Sequence, residues 1–300
     1  MNHLLKLLDW TSEEIIATLD LADKLKAENK AGKEHHLLKG KTLAMIFSKN
    51  STRTRVSFEV GMYQLGGHAL MISNKDSQLG RGEPVQDTAR VLSRYVDGIM
   101  IRTFEQSEVE DLAKYGSIPV INGLTDDYHP CQILADLMTI REHKGKLEGL
   151  NLCFIGDGIN MANSLIVGGI KTGMNVSVAC PANHTPKKEV LDFAEKSGCF
   201  HLYTDPKEAA KNADVIITDV WVSMGQEEEK KQREIDFKGY LVNDEIMALT
   251  NKGCMVQHCL PAHRGEEITE KVFEEHAAEI FDEAENRLHA QKAVLVKLLG

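Results

Sequence analysis

Residues Thr42–Phe47 (TLAMIF) and Ser51–Arg55 (STRTR) decide the fold of the first part of the chain. The apolar run has the length and character of a buried strand. Val56, Val60 and Tyr63 then recur at i, i+4 and i+7, which predicts a helix that begins in the STRTR motif. A helix N-terminus carries unpaired N–H groups and a partial positive charge, and hydroxyls and guanidinium groups added there favour a phosphate dianion. The stretch therefore predicts a strand, a turn and a phosphate-binding helix.

The charge of the chain limits the classes of partner. Its 300 residues include 35 lysines and arginines against 45 aspartates and glutamates, which gives a formal net charge of -10. A chain this acidic is not expected to bind nucleic acid or a membrane surface. An anionic small-molecule substrate must therefore be attracted by a local basic cluster.

Size and cysteine usage are those of an intracellular globular protein. An apolar fraction of 42% is ordinary for that class, and no apolar run approaches the roughly 20 residues that span a bilayer. Residues 1–6 do not have the pattern of a signal peptide. The six cysteines form no CxxC pair, so we expect free thiols in a reducing cytoplasm.

Strand and helix patterns alternate in both halves of the chain. Strands are predicted at 41–47, 69–72, 98–101, 119–121, 151–155, 176–179, 201–203, 215–219 and 255–257. This alternation predicts an α/β fold of two parallel-sheet α/β domains joined by long helices. A polar stretch at 144–149 places one domain over residues 1–145 and the other over residues 146–268. A C-terminal helix, expected from about Ile268 to Leu299, would make residues 269–300 pack back on the first domain.

Polar side chains follow most of these strands at their carboxyl ends, where ligands bind in parallel α/β sheets. They are Arg102, His129, Asp157, Asn160, Asp219 and His258–Pro261. Each has an ordinary structural explanation: an arginine can pair with a surface carboxylate, and a cysteine can be a small buried apolar residue. Their common placement at strand ends favours a binding site.

Three motifs resemble the signatures of the aspartate/ornithine carbamoyltransferase family. They are Ser51–Arg55, His129–Gln132 (HPCQ) and His258–Pro261 (HCLP), and their order and spacing match along the whole chain. Asp219 with Ser223–Gly225 (SMG) resembles the loop of the members that use ornithine. The resemblance implies transfer of the carbamoyl group of carbamoyl phosphate to the δ-amine of L-ornithine, giving L-citrulline and phosphate in arginine metabolism. It leaves open whether the step serves synthesis or breakdown.

The resemblance also implies a carbamoyl phosphate site. Its members hold the phosphate, polarise the carbonyl or contact the carbamoyl amide, and they are Ser51, Thr52, Arg53, Thr54, Gln78, Arg102, His129, Pro130, Cys131, Gln132, Cys259, Leu260 and Arg287. Arginine suits this role because a guanidinium group binds phosphate bidentately and stabilises the negative charge that builds up on it as it leaves. Arg55 has a weaker claim, since it could instead point inward to a carboxylate and brace the turn.

The implied ornithine site consists of Asn160, Asp219, Ser223 and Met224. Asn160 would hydrogen-bond the α-carboxylate or the α-amine, and Asp219 would supply the charge opposite the α-ammonium. The residues with an implied catalytic role are Arg53, Arg102, His129, Gln132, Asp219 and Cys259. We expect no side chain to be an obligatory general base, because the departing phosphate can accept the proton of the amine.

Assembly is implied by a loop that contains Gln78. In the family this loop reaches the active site of a neighbouring subunit, so the resemblance implies a homotrimer with shared sites. Composition alone would make the same segment a plain surface loop.

Several other functions remain as alternatives. Gly156–Gly158 follows a strand as in a dinucleotide-dependent oxidoreductase, but Met161 occupies the place of the third glycine. A second alternative is a binding module that senses carbamoyl phosphate. A third is a carbamoyltransferase for aspartate, putrescine or N-acetylornithine. We expect no cofactor.

A metal site is a minor alternative. The candidate ligands are Cys254, His258, Cys259 and His263. They are close in sequence but are expected to point in different directions, so we assign no metal.

Overall fold

The computed structural model describes residues 3–74, 77–222 and 227–300. The chain divides into two compact units, one of residues 1–135 with 286–300 and the other of residues 136–285. Each unit contains one sheet whose described strand pairs are parallel. The predicted fold class is therefore confirmed.

The sheet of the first unit has four strands. They are β1 (Thr42–Phe47), β2 (His68–Ser73), β3 (Gly98–Arg102) and β4 (Val120–Leu124). The helices along this part of the chain are α1 (Ser12–Lys30), α2 (Thr52–Gln64), α3 (Val85–Leu92), α4 (Gln106–Tyr115) and α5 (Pro130–Lys144). The strand order is β2-β1-β3-β4, so the apolar β1 lies inside the sheet and β2 lies at its edge.

The second unit has a five-stranded sheet. Its strands are β5 (Asn151–Ile155), β6 (Asn175–Ala179), β7 (Phe200–Tyr203), β8 (Val215–Thr218) and β9 (Met255–His258). The helices of this part are α6 (Asn160–Lys171), α7 (Lys188–Glu195), α8 (Pro206–Ala210), α9 (Lys230–Asp236), α10 (Asp244–Met247), α11 (Glu270–Glu275) and α12 (Ala277–Leu299), the last of which continues into the first unit. The strand order is β7-β6-β5-β8-β9.

Each sheet has its own apolar core. In the first unit, Ile46 and Ile101 of the two central strands are buried together with Leu112 of α4. In the second unit, Ile155 and Ile216 are buried together with Phe237. These strands read as near-continuous apolar runs because helices cover both faces of such sheets.

Strand register brings the polar residues that follow the strands to one edge of each sheet. Phe47 pairs with Arg102 in the first unit. In the second, Thr218 pairs with Ile155 and with His258. Chain order reverses between β5 and β8, and such a switch point is where ligands bind in open α/β sheets. Asp219 and Cys259 therefore emerge side by side at this edge.

The expected start of the last helix was wrong. Ile268 forms isolated bridges with Val242 and Arg264, and the segment that follows is divided between α11 and α12. Thr269 caps α11 by accepting the N–H of Val272 at 3.3 Å. Such a cap begins a helix, so helical spacing alone placed the start too early. None of the described helices is both long and apolar enough to cross a bilayer.

Candidate active site

The N-terminus of α2 is built as an anion site. Ser51 is its N-cap, and the Ser51 hydroxyl accepts the backbone N–H of Thr54 at 3.2 Å. The first turn contains no acidic residue, so its own side chains do not neutralise the positive end of the helix dipole. Thr52 and Arg53 are exposed on this turn, whereas Thr54 is fully buried.

Two buried arginines converge on the Thr54 hydroxyl. Arg102 at the end of β3 places Nη1 3.5 Å from Thr54 Oγ1, and Arg287 of α12 donates to the same oxygen from Nη2 at 3.3 Å. Both arginines are less than a tenth exposed. Because guanidinium groups cannot lose their charge in proteins, the cluster is a fixed patch of positive potential.

The start of α5 contributes two more polar side chains. Gln132 accepts a hydrogen bond at 2.6 Å from Nη1 of Arg287. His129 precedes the helix and is buried; that burial, together with the positive charges of Arg287 and Arg102, holds the pKa of its imidazole well below the usual value. His129 is therefore a neutral imidazole at pH 7, which can donate one hydrogen bond and accept another.

Pro130 and Cys131 complete the HPCQ motif. Pro130 is the first residue of α5, where its missing N–H costs no helical hydrogen bond. The Cys131 thiol donates to the carbonyl of Asn122 at 3.4 Å, and burial raises its pKa to about 12. Cys131 is therefore a packed, unreactive thiol within this motif.

Two further residues named from the sequence, Arg55 and Gln78, are exposed. Arg55 forms an i,i+4 ion pair with Glu59 at 3.0 Å, and its side chain is 48% exposed. It is a surface residue, so the inward brace considered for it was wrong. Gln78 is exposed before a 3₁₀ turn, where its carbonyl accepts the N–H groups of Arg81 and Glu83.

The second unit places a different set of groups at its switch point. Cys259 donates from Sγ to Oδ1 of Asp219 at 3.1 Å, and Val220 donates its N–H to the same oxygen at 2.8 Å. Burial raises the pKa of Asp219 above the usual range. Burial and the nearby carboxylates of Asp219 and Glu283 raise the pKa of the Cys259 thiol well above its usual value. The thiol is therefore protonated and acts as a donor.

Asn160 and Leu260 of the second unit also belong to the site predicted from the sequence. Asn160 begins α6, is buried, and accepts the N–H of Met161 at 2.7 Å. Leu260 has a φ of 58° and is joined to Pro261 by a cis peptide. Ser223 and Met224 lie outside the described residues.

Two ion pairs that each contain a buried basic side chain were missed by sequence reasoning. Lys49 pairs with Asp126 and lies 4.3 Å from the centre of the Phe104 ring, just before the cap of α2. Arg233 pairs with Asp157, and both side chains are 4% exposed. No sequence signal identified Arg233, because it follows a mixed-charge run that has the composition of a solvated helix face.

Gly158 has a packing role. A Cβ at this position would collide with the backbone of His184–Pro186, and the Gly158 N–H donates to the His184 carbonyl at 3.0 Å. Close backbone approach thus accounts for this glycine without a dinucleotide.

Among the described residues, two groups place one potential ligand atom from each member within 4.8 Å of one another: Asp219, His258 and Cys259, and His263, Glu266 and Glu267. Metal ligation by imidazole requires a nitrogen with a free lone pair. Nδ1 of His258 accepts the N–H of Leu260 at 2.9 Å, and Nε2 lies 2.9 Å from Glu267. Both nitrogens are engaged, so the group of Asp219, His258 and Cys259 gives no support for a metal.

Two family models match the chain. One, described as the carbamoyl-P binding domain of aspartate/ornithine carbamoyltransferase, matches residues 2–142. The other, the Asp/Orn binding domain of the same family, matches residues 148–298. Together they span nearly the whole sequence.

The proteins that this chain resembles are similar to it in length as well as in sequence. An ornithine carbamoyltransferase of Geobacter metallireducens is 54% identical over 300 residues, which cover 99% of each chain. One of Carboxydothermus hydrogenoformans is 58% identical over 297 residues, covering 97% of this chain and 96% of the relative. The solved ornithine carbamoyltransferase of Pyrococcus furiosus is 53% identical, with a TM-score of 0.94 over 100% of this chain and 97% of that one.

Proposed function

The chain belongs to the aspartate/ornithine carbamoyltransferase family, and we propose that it transfers the carbamoyl group of carbamoyl phosphate to L-ornithine. The neutral δ-amine attacks the carbonyl carbon, a C–N bond forms, and the C–O bond to phosphate breaks. Phosphate leaves with the electron pair and takes up the proton that the amine loses. The products are L-citrulline and phosphate.

The convergence of Arg102 and Arg287 on the hydroxyl of Thr54 is the observation that carries the proposal. Buried guanidinium groups at the positive end of a helix stabilise a dianion that is partly withdrawn from water. Charge on the phosphate increases as the C–O bond breaks, so a fixed positive site favours the transition state over the ground state. Ser51, Thr52 and Arg53 would bind the same phosphate from the first turn.

The carbamoyl end would be held by the start of α5. The lowered pKa of His129 supports a neutral imidazole that donates to the carbonyl oxygen. Gln132 is held in place by Arg287 and would bind the carbamoyl NH₂ through its remaining acceptor capacity. Pro130 and Cys131 would contribute through the backbone of this turn.

The amine would be bound by the second unit. Asp219 offers a carboxylate to the α-ammonium and Asn160 an amide to the α-carboxylate, while Ser223 and Met224 would complete this half. The δ-ammonium has a reference pKa near that of lysine, about 10.4, so it must lose a proton before attack. Removal of water from around it favours the neutral amine. Cys259 and the Leu260 carbonyl would lie near the reacting δ-nitrogen. The protonated thiol of Cys259 is not a base in this scheme.

Assembly into a homotrimer with shared sites is part of the proposal. The edge strand β2 exposes Leu70 (43%) and Met71 (39%), and neighbouring α2 exposes Tyr63 (82%). Apolar side chains on an unpaired strand edge favour association with a second copy. The exposed Gln78 would then contribute to a neighbour's site.

Mixing two inactive variants tests the shared site. An Arg53→Ala chain and a Gln78→Ala chain, refolded together, should regain partial activity because some mixed interfaces contain neither change. Trimers that mix but stay inactive would contradict sharing, and a monomer in sedimentation experiments would contradict the assembly.

Each domain would bind one substrate, and the protein would be located in the cytoplasm. Residues 1–145 would bind carbamoyl phosphate, residues 146–268 would bind ornithine and residues 269–300 would return to the first domain, which is supported by the grouping of residues 286–300 with the first unit. All six cysteines are free, which supports a cytoplasmic location.

The activity test is a coupled measurement of both products. Purified protein given carbamoyl phosphate and ornithine should release citrulline and phosphate in equal amounts. Tight binding of carbamoyl phosphate with no turnover would favour the sensor alternative. Phosphate without citrulline would mean that the carbamoyl group goes to water, which would contradict transfer to ornithine. Oxidation or reduction of a nicotinamide cofactor would favour the oxidoreductase.

A further inference from the structure

His258 belongs to the HCLP motif, yet the proposed reaction assigns it no role. The side chain is buried, and Nδ1 accepts the backbone N–H of Leu260 at 2.9 Å. An amide N–H can only donate, so Nδ1 carries no proton and the imidazole proton lies on Nε2. Nε2 then donates to Oε1 of Glu267 at 2.9 Å.

Glu267 is held as firmly as the histidine. It is fully buried, and the oxygen that faces His258 also accepts the backbone N–H of His263 at 2.6 Å. Glu283 accepts the backbone N–H of His258 at 2.9 Å. The imidazole is thus oriented by the Glu267 carboxylate at Nε2 and by the backbone N–H of Leu260 at Nδ1, an arrangement that selects one tautomer.

The hydrogen bond from Leu260 to His258 spans one residue, Cys259. It closes a small ring that constrains the backbone of Cys259. Leu260 follows this ring with a φ of 58°, a conformation that few non-glycine residues adopt. The same ring determines where the Cys259 thiol lies, and that thiol reaches Asp219 at 3.1 Å. The buried carboxylate of Glu267 holds His258, and His258 in turn fixes the Cys259 thiol and the Leu260 backbone. Both groups lie next to the proposed acceptor site.

We infer that His258 is a positioning residue for the acceptor amine and that Glu267 sets its tautomer. The inference rests on the proposed function, in which Cys259 and Asp219 adjoin the amine. His258 does not touch either substrate. It holds Cys259 and Leu260 where the amine must arrive, so its loss should affect the amine far more than carbamoyl phosphate.

Asparagine and glutamine separate the two hydrogen bonds of the imidazole. In His258→Asn the amide oxygen takes the place of Nδ1 and can accept from Leu260, whereas in His258→Gln the amide nitrogen takes the place of Nε2 and can donate to Glu267. Loss of the Leu260 bond should lower kcat/KM for ornithine at least about tenfold in His258→Gln. His258→Asn should retain most of it. The carbamoyl phosphate Kd measured by calorimetry should change no more than about threefold in both, because most of the groups proposed to bind carbamoyl phosphate belong to the first unit.

The matched control is His143→Gln, which alters a histidine paired with Asp282 at the surface of the same unit and should leave both constants unchanged. Equal losses in the asparagine and glutamine variants would overturn the inference, because a packing role does not distinguish the two ends of the ring. A weaker Kd for carbamoyl phosphate that matches the loss for ornithine would also overturn it.

Thiol chemistry tests the same inference without turnover. Iodoacetamide should alkylate Cys259 about tenfold faster in His258→Gln than in the wild type or His258→Asn, since a displaced thiol loses its contact with Asp219. Unchanged alkylation would overturn the positioning role. If the wild type makes no citrulline but the alkylation pattern holds, the proposed function fails while the positioning of Cys259 stands.

Discussion

Arg287 donates a 2.6 Å hydrogen bond from Nη1 to Oε1 of Gln132, 155 residues earlier in the chain. With its second amino group Arg287 reaches the hydroxyl of Thr54. One guanidinium group on the last helix therefore links the beginnings of α2 and α5, the two turns proposed to bind carbamoyl phosphate.

Arg287→Lys should weaken carbamoyl phosphate binding. An ammonium group keeps the charge but cannot reach both Gln132 and Thr54 in the same plane. We expect the KM for carbamoyl phosphate to rise about tenfold to a hundredfold, with a smaller change for ornithine. Arg90→Lys, at an exposed ion pair with Asp87, is the control. Equal KM values for wild type and Arg287→Lys would remove Arg287 from the site.

Protonation of Asp219 should weaken ornithine binding at low pH. Burial raises its pKa, so as pH falls Asp219 becomes protonated earlier than an exposed aspartate does. The protonated form has no charge to offer the α-ammonium, and the KM for ornithine should therefore rise on acidification.

Asp219→Asn should have a high KM for ornithine that no longer rises further on acidification. Its binding of carbamoyl phosphate should be retained. The exposed Asp192→Asn is the matched control. A pH profile that is identical in the wild type and Asp219→Asn would show that another group titrates.

Cys259→Ala should lower turnover without abolishing it. The thiol is a protonated donor to Asp219, and the departing phosphate can take the proton of the amine. Loss of a hydrogen bond to a carboxylate, worth about 1.5–3 kcal/mol, corresponds to about a tenfold to a hundredfold decrease in kcat/KM. Complete loss of turnover with both substrates still bound would instead make Cys259 an obligatory base.

The buried pair of Arg233 and Asp157 should matter for stability. Removing one partner leaves a buried charge uncompensated, which costs about 3–5 kcal/mol. Arg233→Met and Asp157→Leu should each lower Tm sharply, and the double variant should be less destabilised than the sum of the two. Additive losses in a double-mutant cycle followed by thermal unfolding would show that the two groups do not interact.

The part of the candidate site that sequence could predict is local. Ser51 follows an apolar strand and caps a helix, and Arg102 ends a strand, so both positions follow from nearby residues. The link between Arg287 and Gln132 could not be predicted from periodicity, because it depends on how the last helix packs against the rest of its unit.

Local signals also failed where tertiary contacts override them. The division between α11 and α12 depends on the bridges of Ile268 and the cap by Thr269, and helical spacing does not show either. Arg233 is buried although the charge run before it has the composition of a solvated surface. The start of α11 is decided by one capping side chain and by bridges to other segments. The burial of Arg233 is decided by Asp157, which is distant in sequence.

The comparison of kcat/KM for four amines tests the central claim most directly. With saturating carbamoyl phosphate, ornithine, N-acetylornithine, putrescine and aspartate would be supplied in turn and the carbamoylated product measured. Ornithine should be preferred at least about a hundredfold, because the alternatives lack the α-ammonium, the α-carboxylate or the δ-amine. A higher kcat/KM for any of the other three amines, or no carbamoylated product with ornithine, would contradict the assignment.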